Sequence, residues 1–229
     1  MSQIYIPTSS AEQWAEFLAE PVKHWRQGYS ARTLAYSWQE ASGFPAEVGS
    51  VLASAFPSAE LLLALPEHKV SLPGGSRSSQ NDIWVLARSE NQLISIAVEG
   101  KVSEPFGPTV EQWLTESSPG KVKRLAYLLS LLGLCSVSDT TRYQLLHRTA
   151  SAIIEAQRFN AAHAVMLVHS FSQSSEWSKT TRPLFRSWAA ALLRIRWFRF
   201  AHVLASRFIW HGCVAMPATF PNSSPARAN

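Results

Sequence analysis

Asp82, Glu99 and Lys101 are the residues of this sequence whose types and spacing best fit chemistry. Aspartate occurs only twice in the 229 residues, at Asp82 and Asp139. Asp82 opens a β-rich run, Asp82–Ala87, and a second run, Leu93–Val98, leads directly into Glu99-Gly100-Lys101. Residues two apart on a strand face the same side, so Glu99 and Lys101 project together. The connection Arg88-Ser-Glu-Asn-Gln92 has hairpin length, and pairing the two runs returns Asp82 beside Glu99. Two carboxylates and one ammonium then meet at the open end of a sheet. Two carboxylates with water completing the shell are what Mg²⁺ accepts. Such an ion generates a hydroxide nucleophile and stabilises charge on a phosphate. The ammonium is suited to orienting or helping to deprotonate that water, or to stabilising phosphorane-like charge. The plainer reading is a turn aspartate and a solvated strand end carrying a weak ion pair. Against it, Leu93, Ser95 and Ala97 share the face of Glu99 and Lys101, while Ile94, Ile96 and Val98 take the other. A partly apolar face shelters the pair.

The elements around these residues follow from periodicity and punctuation. Ser9-x-x-Glu12 reads as a capping box for a helix near 10–20, ended by Pro21. Helices are expected over Ala31–Ser42, with Leu34, Ala35, Trp38 and Ala41 on one stripe, and over Pro45–Ala55. Leu61–Val70 then joins the two β-rich runs as the first strand of a three-strand antiparallel meander. A short helix fits Thr109–Glu116, a longer one follows Ser118-Pro119 to Leu132, and the clearest spans Thr141–Asn160 with Leu145, Leu146, Thr149, Ile153 and Ala156 as its apolar face. Ala164–Val168 is a continuous apolar strand suited to the middle of a sheet. The order predicts a mixed central sheet with helices on its faces, an α/β sandwich. Pro73-Gly-Gly-Ser-Arg is a turn-rich loop, and no Gly-rich phosphate loop or internal repeat occurs.

With these residues in this element order, the sequence resembles the PD-(D/E)XK nuclease superfamily, the restriction-endonuclease-like fold. The resemblance is carried by Asn81-Asp82, sixteen intervening residues, and Glu99-Gly-Lys101, with a meander before the motif and helices after it. It covers roughly residues 30–171, and Asn81 stands where the family name has Pro. Its nearest counterpart would be an uncharacterised bacterial branch. The resemblance implies that Asp82 and Glu99 bind Mg²⁺ or Mn²⁺ and that Lys101 is the catalytic lysine. It implies accessory roles for Gln144, in Arg142-Tyr-Gln-Leu of the following helix, and for Glu40 as a helical carboxylate ahead of the sheet. The activity implied is hydrolysis of phosphodiester bonds in nucleic acid, with DNA favoured. Proteins of this superfamily often pair to cut two strands, so a homodimer is an open alternative, though the sequence carries no dimer signature. The rival reading is a non-catalytic or degenerate member of the fold that binds nucleic acid or protein.

Other candidates are weaker. Lys121, Lys123 and Arg124 begin a helix, where positive charge opposes the helix dipole and a phosphate would relieve the opposition, as solvation also would. His163 and His169 flank a strand without a converging Cys or Asp and read as structural. Ser170-Phe-Ser lacks a nucleophile-elbow pattern, and Cys135 reads as a buried thiol. Two cysteines make no disulfide scaffold. The N-terminus has no signal-peptide pattern and the longest apolar run, near Leu125–Leu134, is about half a membrane span, so a cytoplasmic location without membrane association is expected.

The net charge of +5 divides unevenly. Residues 1–178 hold 13 Lys+Arg and 16 Asp+Glu, whereas residues 179–229 hold eight Lys+Arg and no acid. The high isoelectric point therefore says nothing about the main body. The expected organisation is an N-terminal helical segment over 1–30, the nuclease-like domain over 31–177 and an atypical basic tail over 178–229. The stripe Trp188–Phe208 fits a basic amphipathic helix. A shifted reading frame explains the tail better: one base restored before Ser178, with suitable codons, turns Ser-Lys-Thr-Thr-Arg-Pro into Phe-Glu-Asp-Tyr-Gln-Ala.

Overall fold

A computed structural model describes residues 8–172, together with the backbone at 198–204 and 207–210. Its centre is a mixed sheet. The strands β1 (Glu60–Val70), β2 (Ser79–Ser89) and β3 (Gln92–Lys101) form the expected antiparallel meander. Strand β4 (His163–Ser170) pairs with β3 in parallel. Strand β5 (Phe198–Leu204) continues the sheet parallel to β4, and β6 (Arg207–Trp210) closes the order antiparallel to β5. The part of the basic tail that is described is thus strand, where a helix over Trp188–Phe208 was one expectation; the rest of that tail, Ser178 and Cys213 included, lies outside the described residues.

Each sheet face is covered by helices because each alternating set of strand residues is apolar. Ile83, Val85, Ile94, Ile96, Val98, Val165 and Leu167 pack on one side against α2 (Ser30–Gln39) and α3 (Ala46–Ala53). A 3₁₀ helix over Ala11–Phe17 buries Trp14 in the same layer, and the Trp14 indole donates to Gln39 at 2.9 Å. The N-terminal segment is helical and packs on this layer through Ala11, Trp14 and Trp25. Ala97, Ala164, Met166 and Val168 face the other layer, made by α5 (Pro119–Leu131) and α6 (Tyr143–Arg158). The architecture is the expected α/β sandwich.

Local chemistry sets most boundaries. The short helix α4 (Val110–Leu114) has a complete capping box between Thr109 and Gln112, and the Ser118 side chain caps α5. The capping box expected at Ser9-x-x-Glu12 does not form. Ser10 is the N-cap and makes no side-chain cap bond, while Ser9 bonds Gln13, and the segment winds as 3₁₀. Pro21 starts a further turn, α1 (Pro21–His24), instead of only ending its predecessor. On α6 the expected apolar face is buried, but Arg148 and Glu155 are buried with it. Cys135, expected inside, is exposed beyond the end of α5.

Candidate functional site

Strand register gathers the acids. Pro66 lies opposite Ile83 and His68 opposite Asn81, which brackets Glu67 with Asp82. Ile83 lies opposite Val98, so the next step along each strand brings Asp82 to Glu99. Glu67, Asp82 and Glu99 thus stand abreast on three adjacent strands, on the face that α6 covers. Gly100 holds this row in place. Its backbone N–H donates to Asp82 Oδ2 at 2.8 Å, and a Cβ there would lie 3.1 Å from Leu34 Cδ2, so the missing side chain lets α2 approach.

Glu99 is the hub. Its Oε1 accepts from Lys101 Nζ at 2.7 Å and from Gln144 Nε2 at 2.6 Å, and its Oε2 accepts from Arg148 Nε at 2.7 Å. The Gln144 amide is oriented from its other end, where Oε1 accepts from the Gly107 N–H at 3.1 Å. Gln144 and Arg148 are four apart on α6 and so share one face. Arg148 Nη2 also lies 3.9 Å from Asp82 Oδ1, which is ion pairing at a distance too long for a hydrogen bond. Lys101 Nζ sits 5.0 Å from the centre of the Phe106 ring.

Burial makes these charges strongly interdependent. Burial resists ionisation of Glu99, but the Lys101 ammonium and the Arg148 guanidinium outweigh it and hold its pKa down to about 2. Asp82 goes the other way: burial, then the negative charge of Glu99, raise its pKa to about 7. Glu67, half-buried beside Asp82, is raised by desolvation and by the Asp82 charge to about 8, against a hydrogen bond from Gln80 Nε2 at 2.7 Å. Burial disfavours the Lys101 cation, yet Glu99 and Asp82 outweigh that and raise its pKa, so it stays protonated at neutral pH.

All of these groups except Lys101 form the floor of a cavity of about 480 Å³. Glu67, Asp82, Glu99, Gln144 and Arg148 line it, along with Glu104. Glu104 ties the end of β3 to α2: it accepts from the Ser30 N–H at 3.0 Å and from the Val102 N–H at 3.1 Å. Residues 18–31 supply the opposite wall.

The expected residues Asp82, Glu99, Lys101 and Gln144 are therefore brought together. Glu40 is not: it is the exposed C-cap of α2 and does not line the cavity, because the helix points its carboxyl-terminal end away from the site. The basic group on α5, open to either a phosphate or solvation, is largely tied to backbone carbonyls. Arg124 is buried and donates to the carbonyls of Leu72, Pro73 and Gly75, clamping the turn-rich loop. Lys121 donates to the Trp113 and Glu116 carbonyls, while Lys123 is exposed. The histidines have structural partners. His169 Nδ1 accepts from the Trp38 indole at 3.1 Å and its Nε2 donates to Glu47 at 2.9 Å, while His163 meets Gln92.

Arg148 and Glu67 were not visible from motif spacing alone. The signal for Arg148 was a cation inside the apolar stripe of α6, beside Leu145 and Thr149, one turn after Gln144. The signal for Glu67 was an acid inside an apolar strand run, which needed the β1–β2 register to acquire a neighbour.

Fold and site together define an α/β sandwich protein with a buried ionic cluster under a cavity at the end of its sheet. The sequence profile of one protein family, a domain of unknown function (DUF6946), matches residues 7–193, and the chain belongs to that family. The match takes in the whole site and the first part of the basic tail. No curated protein and no solved structure matches the chain.

Proposed function

We propose that this protein is a PD-(D/E)XK-type, metal-dependent nuclease that hydrolyses phosphodiester bonds. The observation that carries the reading is the convergence of Asp82 and Glu99 on one cavity floor from two neighbouring strands, with Lys101 and Gln144 both bonded to Glu99. Among the described residues no three His, Cys, Asp or Glu side chains form a metal-holding group by themselves. Two carboxylates suffice for Mg²⁺ when water fills the shell. The donors fit such an ion. They are hard oxygens, and Asp82 is a half-buried acid with no cation in hydrogen-bond contact, since Arg148 stays 3.9 Å from its Oδ1. Asp82 and Glu99 would hold Mg²⁺ or Mn²⁺, which when bound supplies a hydroxide nucleophile and offsets charge on the phosphate.

The protein's own groups do the rest. Gln144 and Arg148 fix the Glu99 carboxylate. Lys101 is held as an ammonium by Glu99, so it acts as a cation that orients water and stabilises charge growing on the phosphate, and not as a base. A second reading rests on Arg148, whose guanidinium is an internal cation already bonded to Glu99 at 2.7 Å. A cation in that place favours a non-catalytic module of the same fold that binds nucleic acid or protein.

The test is cleavage of supercoiled, linear and single-stranded DNA and of RNA by the full chain in Mg²⁺ or Mn²⁺. Metal-dependent cutting that falls by about 10²-fold or more in Lys101→Ala is the expected result. A folded protein that cuts none of these substrates would establish the non-catalytic reading.

A further inference from the structure

We propose that residues 21–32 form a binding surface for single-stranded nucleic acid, which admits a flexible strand to the cavity floor and excludes an intact duplex. The inference rests on the reading above that this cavity receives a nucleic-acid phosphate.

Exposure grades steeply across the cavity. On the floor, Glu99 is 2 % and Arg148 7 % exposed. On the opposite wall the Lys23 side chain is 68 % and the His24 side chain 41 % exposed, and Tyr29 is 43 % exposed. All three wall residues line the cavity. A phosphate must therefore pass the wall and descend below the protein surface to reach the floor. A cavity of about 480 Å³ is the size of a small-ligand pocket. A duplex keeps its phosphates on a stiff cylinder that cannot enter it, whereas an unpaired strand can bend one nucleotide inward.

The wall has the chemistry of a single-strand platform. Residues 21–39 contain Lys23, Arg26 and Arg32 and no acid, although the first 178 residues are acidic overall, and Lys23 pairs with the exposed Glu20 just before them at 3.0 Å. Aromatic residues alternate with these cations: Trp25, Tyr29 and Tyr36. Cations that follow a backbone, interleaved with aromatic faces on which bases stack, are the common solution for binding unpaired strands. Trp25 and Tyr36 pack against the core, while Tyr29 stays exposed at the cavity, directly before α2. Arg32 lies 5.3 Å from the Tyr36 ring centre, which fixes its guanidinium on α2 within one turn of Tyr29. The basic group on α5 competes poorly for this role, since Arg124 is buried under three carbonyl contacts.

The experiment is fluorescence anisotropy of the full chain with labelled oligothymidylate and with a blunt hairpin duplex of equal nucleotide count, in EDTA, so that cleavage plays no part. The single strand is expected to bind at least about tenfold more tightly. Tyr29→Ala should weaken that binding about 5- to 150-fold, the loss of one base–aromatic stack, and Tyr29→Phe should restore it. Lys23→Ala should reduce the salt slope of log K by about 0.7, one phosphate contact on a single strand. Circular dichroism melts of each variant show that the fold persists. Equal affinity for duplex and single strand, no binding of either, or a loss in Lys123→Ala without one in Tyr29→Ala would each overturn the proposal. Cleavage is scored separately. Cutting of duplex interiors as fast as single strands would also overturn it while leaving the nuclease reading intact, whereas tight single-strand binding without any cutting would support this surface and remove the nuclease reading.

Discussion

Arg148→Met tests whether the guanidinium holds the acids together. Methionine keeps the length and apolar contacts of the stem and removes only the charge and its donors. In the native protein Arg148 bonds Glu99 at 2.7 Å and Ser79 Oγ at 3.4 Å, and lies 3.9 Å from Asp82. Breaking a buried ion pair by removing one partner costs about 3–5 kcal/mol. Two features place this case at the lower end. Glu99 keeps its bonds from Lys101 and Gln144. Asp82, already raised to about 7, takes up a proton instead of remaining an isolated charge. A loss of about 3 kcal/mol corresponds to a fall in Tm of about 6–12 °C for a chain of this size. Thermal melts by circular dichroism at neutral pH read it directly. The same melts in saturating Mg²⁺ add a second reading. A divalent ion at about a hundredfold its Kd contributes about 2.7 kcal/mol, and removal of a competing cation should make the Mg²⁺ response of Arg148→Met larger than that of the native protein. A Tm change below about 2 °C in metal-free buffer would refute this reasoning, because it would mean that water in the cavity already screens the acids and the ion pair carries no stability.

The remaining predictions concern pH, the clamp under the turn-rich loop and its glycines. Asp82 and Glu67 have folded pKa values near 7 and 8, above their ordinary 3.8 and 4.5, so the fold holds protons that the unfolded chain releases. Their contribution is complete below about pH 4 and is lost as pH rises through 7 and 8. Glu99, held at about 2, works oppositely: its contribution is present above 4.5 and lost as pH falls toward 2. Tm should therefore peak near about pH 5 and decline toward pH 9, and Asp82→Asn should flatten the alkaline decline; a Tm rising steadily from pH 5 to 9 would contradict it. Arg124→Ala removes donors to three loop carbonyls and should cost about 2–4 kcal/mol in urea unfolding, while leaving oligothymidylate affinity within twofold, roughly the scatter of such a titration. Gly74→Ala should fail to fold or lose more than about 3 kcal/mol, since a Cβ at φ +85° would lie 2.1 Å from the Gly120 carbonyl oxygen, and native-like melting of that variant would rule the contact out.

How much of this was legible in the sequence depended on whether neighbours in space were neighbours in pattern. The meander, the two long helices and the central strand announced themselves through period and punctuation. The pairing of Asp82 with Glu99 followed from hairpin length alone, and Glu99 with Lys101 from strand alternation. Residues whose role depends on non-local packing were not readable in the same way. Arg148 sits on an apolar stripe and becomes a site residue only because β3 presents a carboxylate to that stripe. Glu40 and Arg124 failed for the converse reason: a helical carboxylate and a basic helix start look functional until the helix direction and the loop beneath are known. Glu40 ends on an exposed cap, and Arg124 is consumed by the loop carbonyls of Leu72, Pro73 and Gly75.

The charge arrangement explains why one site can support either a nuclease or a binding module. Three acids and two permanent cations share one poorly solvated floor, and the acids exceed the cations by one. Below pH 7, Glu67 and Asp82 both hold their protons, and the two cations outnumber the one ionised acid, Glu99. Ionisation of Asp82, and then of Glu67, removes that positive excess and opens the acids to another cation, which the cavity admits from solvent. Occupation by a divalent ion would swing the floor to net positive and make it attractive to a phosphodiester, with the Lys101 ammonium already held in place by Glu99. The raised pKa of Asp82 therefore couples metal entry to proton release: uptake should strengthen as pH climbs through 7, and a proton should leave the protein as the metal enters. Isothermal titration of Mg²⁺ in two buffers of different ionisation enthalpy measures that proton. Equal apparent heats in both buffers near pH 6.5, where Asp82 is mostly protonated, would show that the metal does not bind through Asp82.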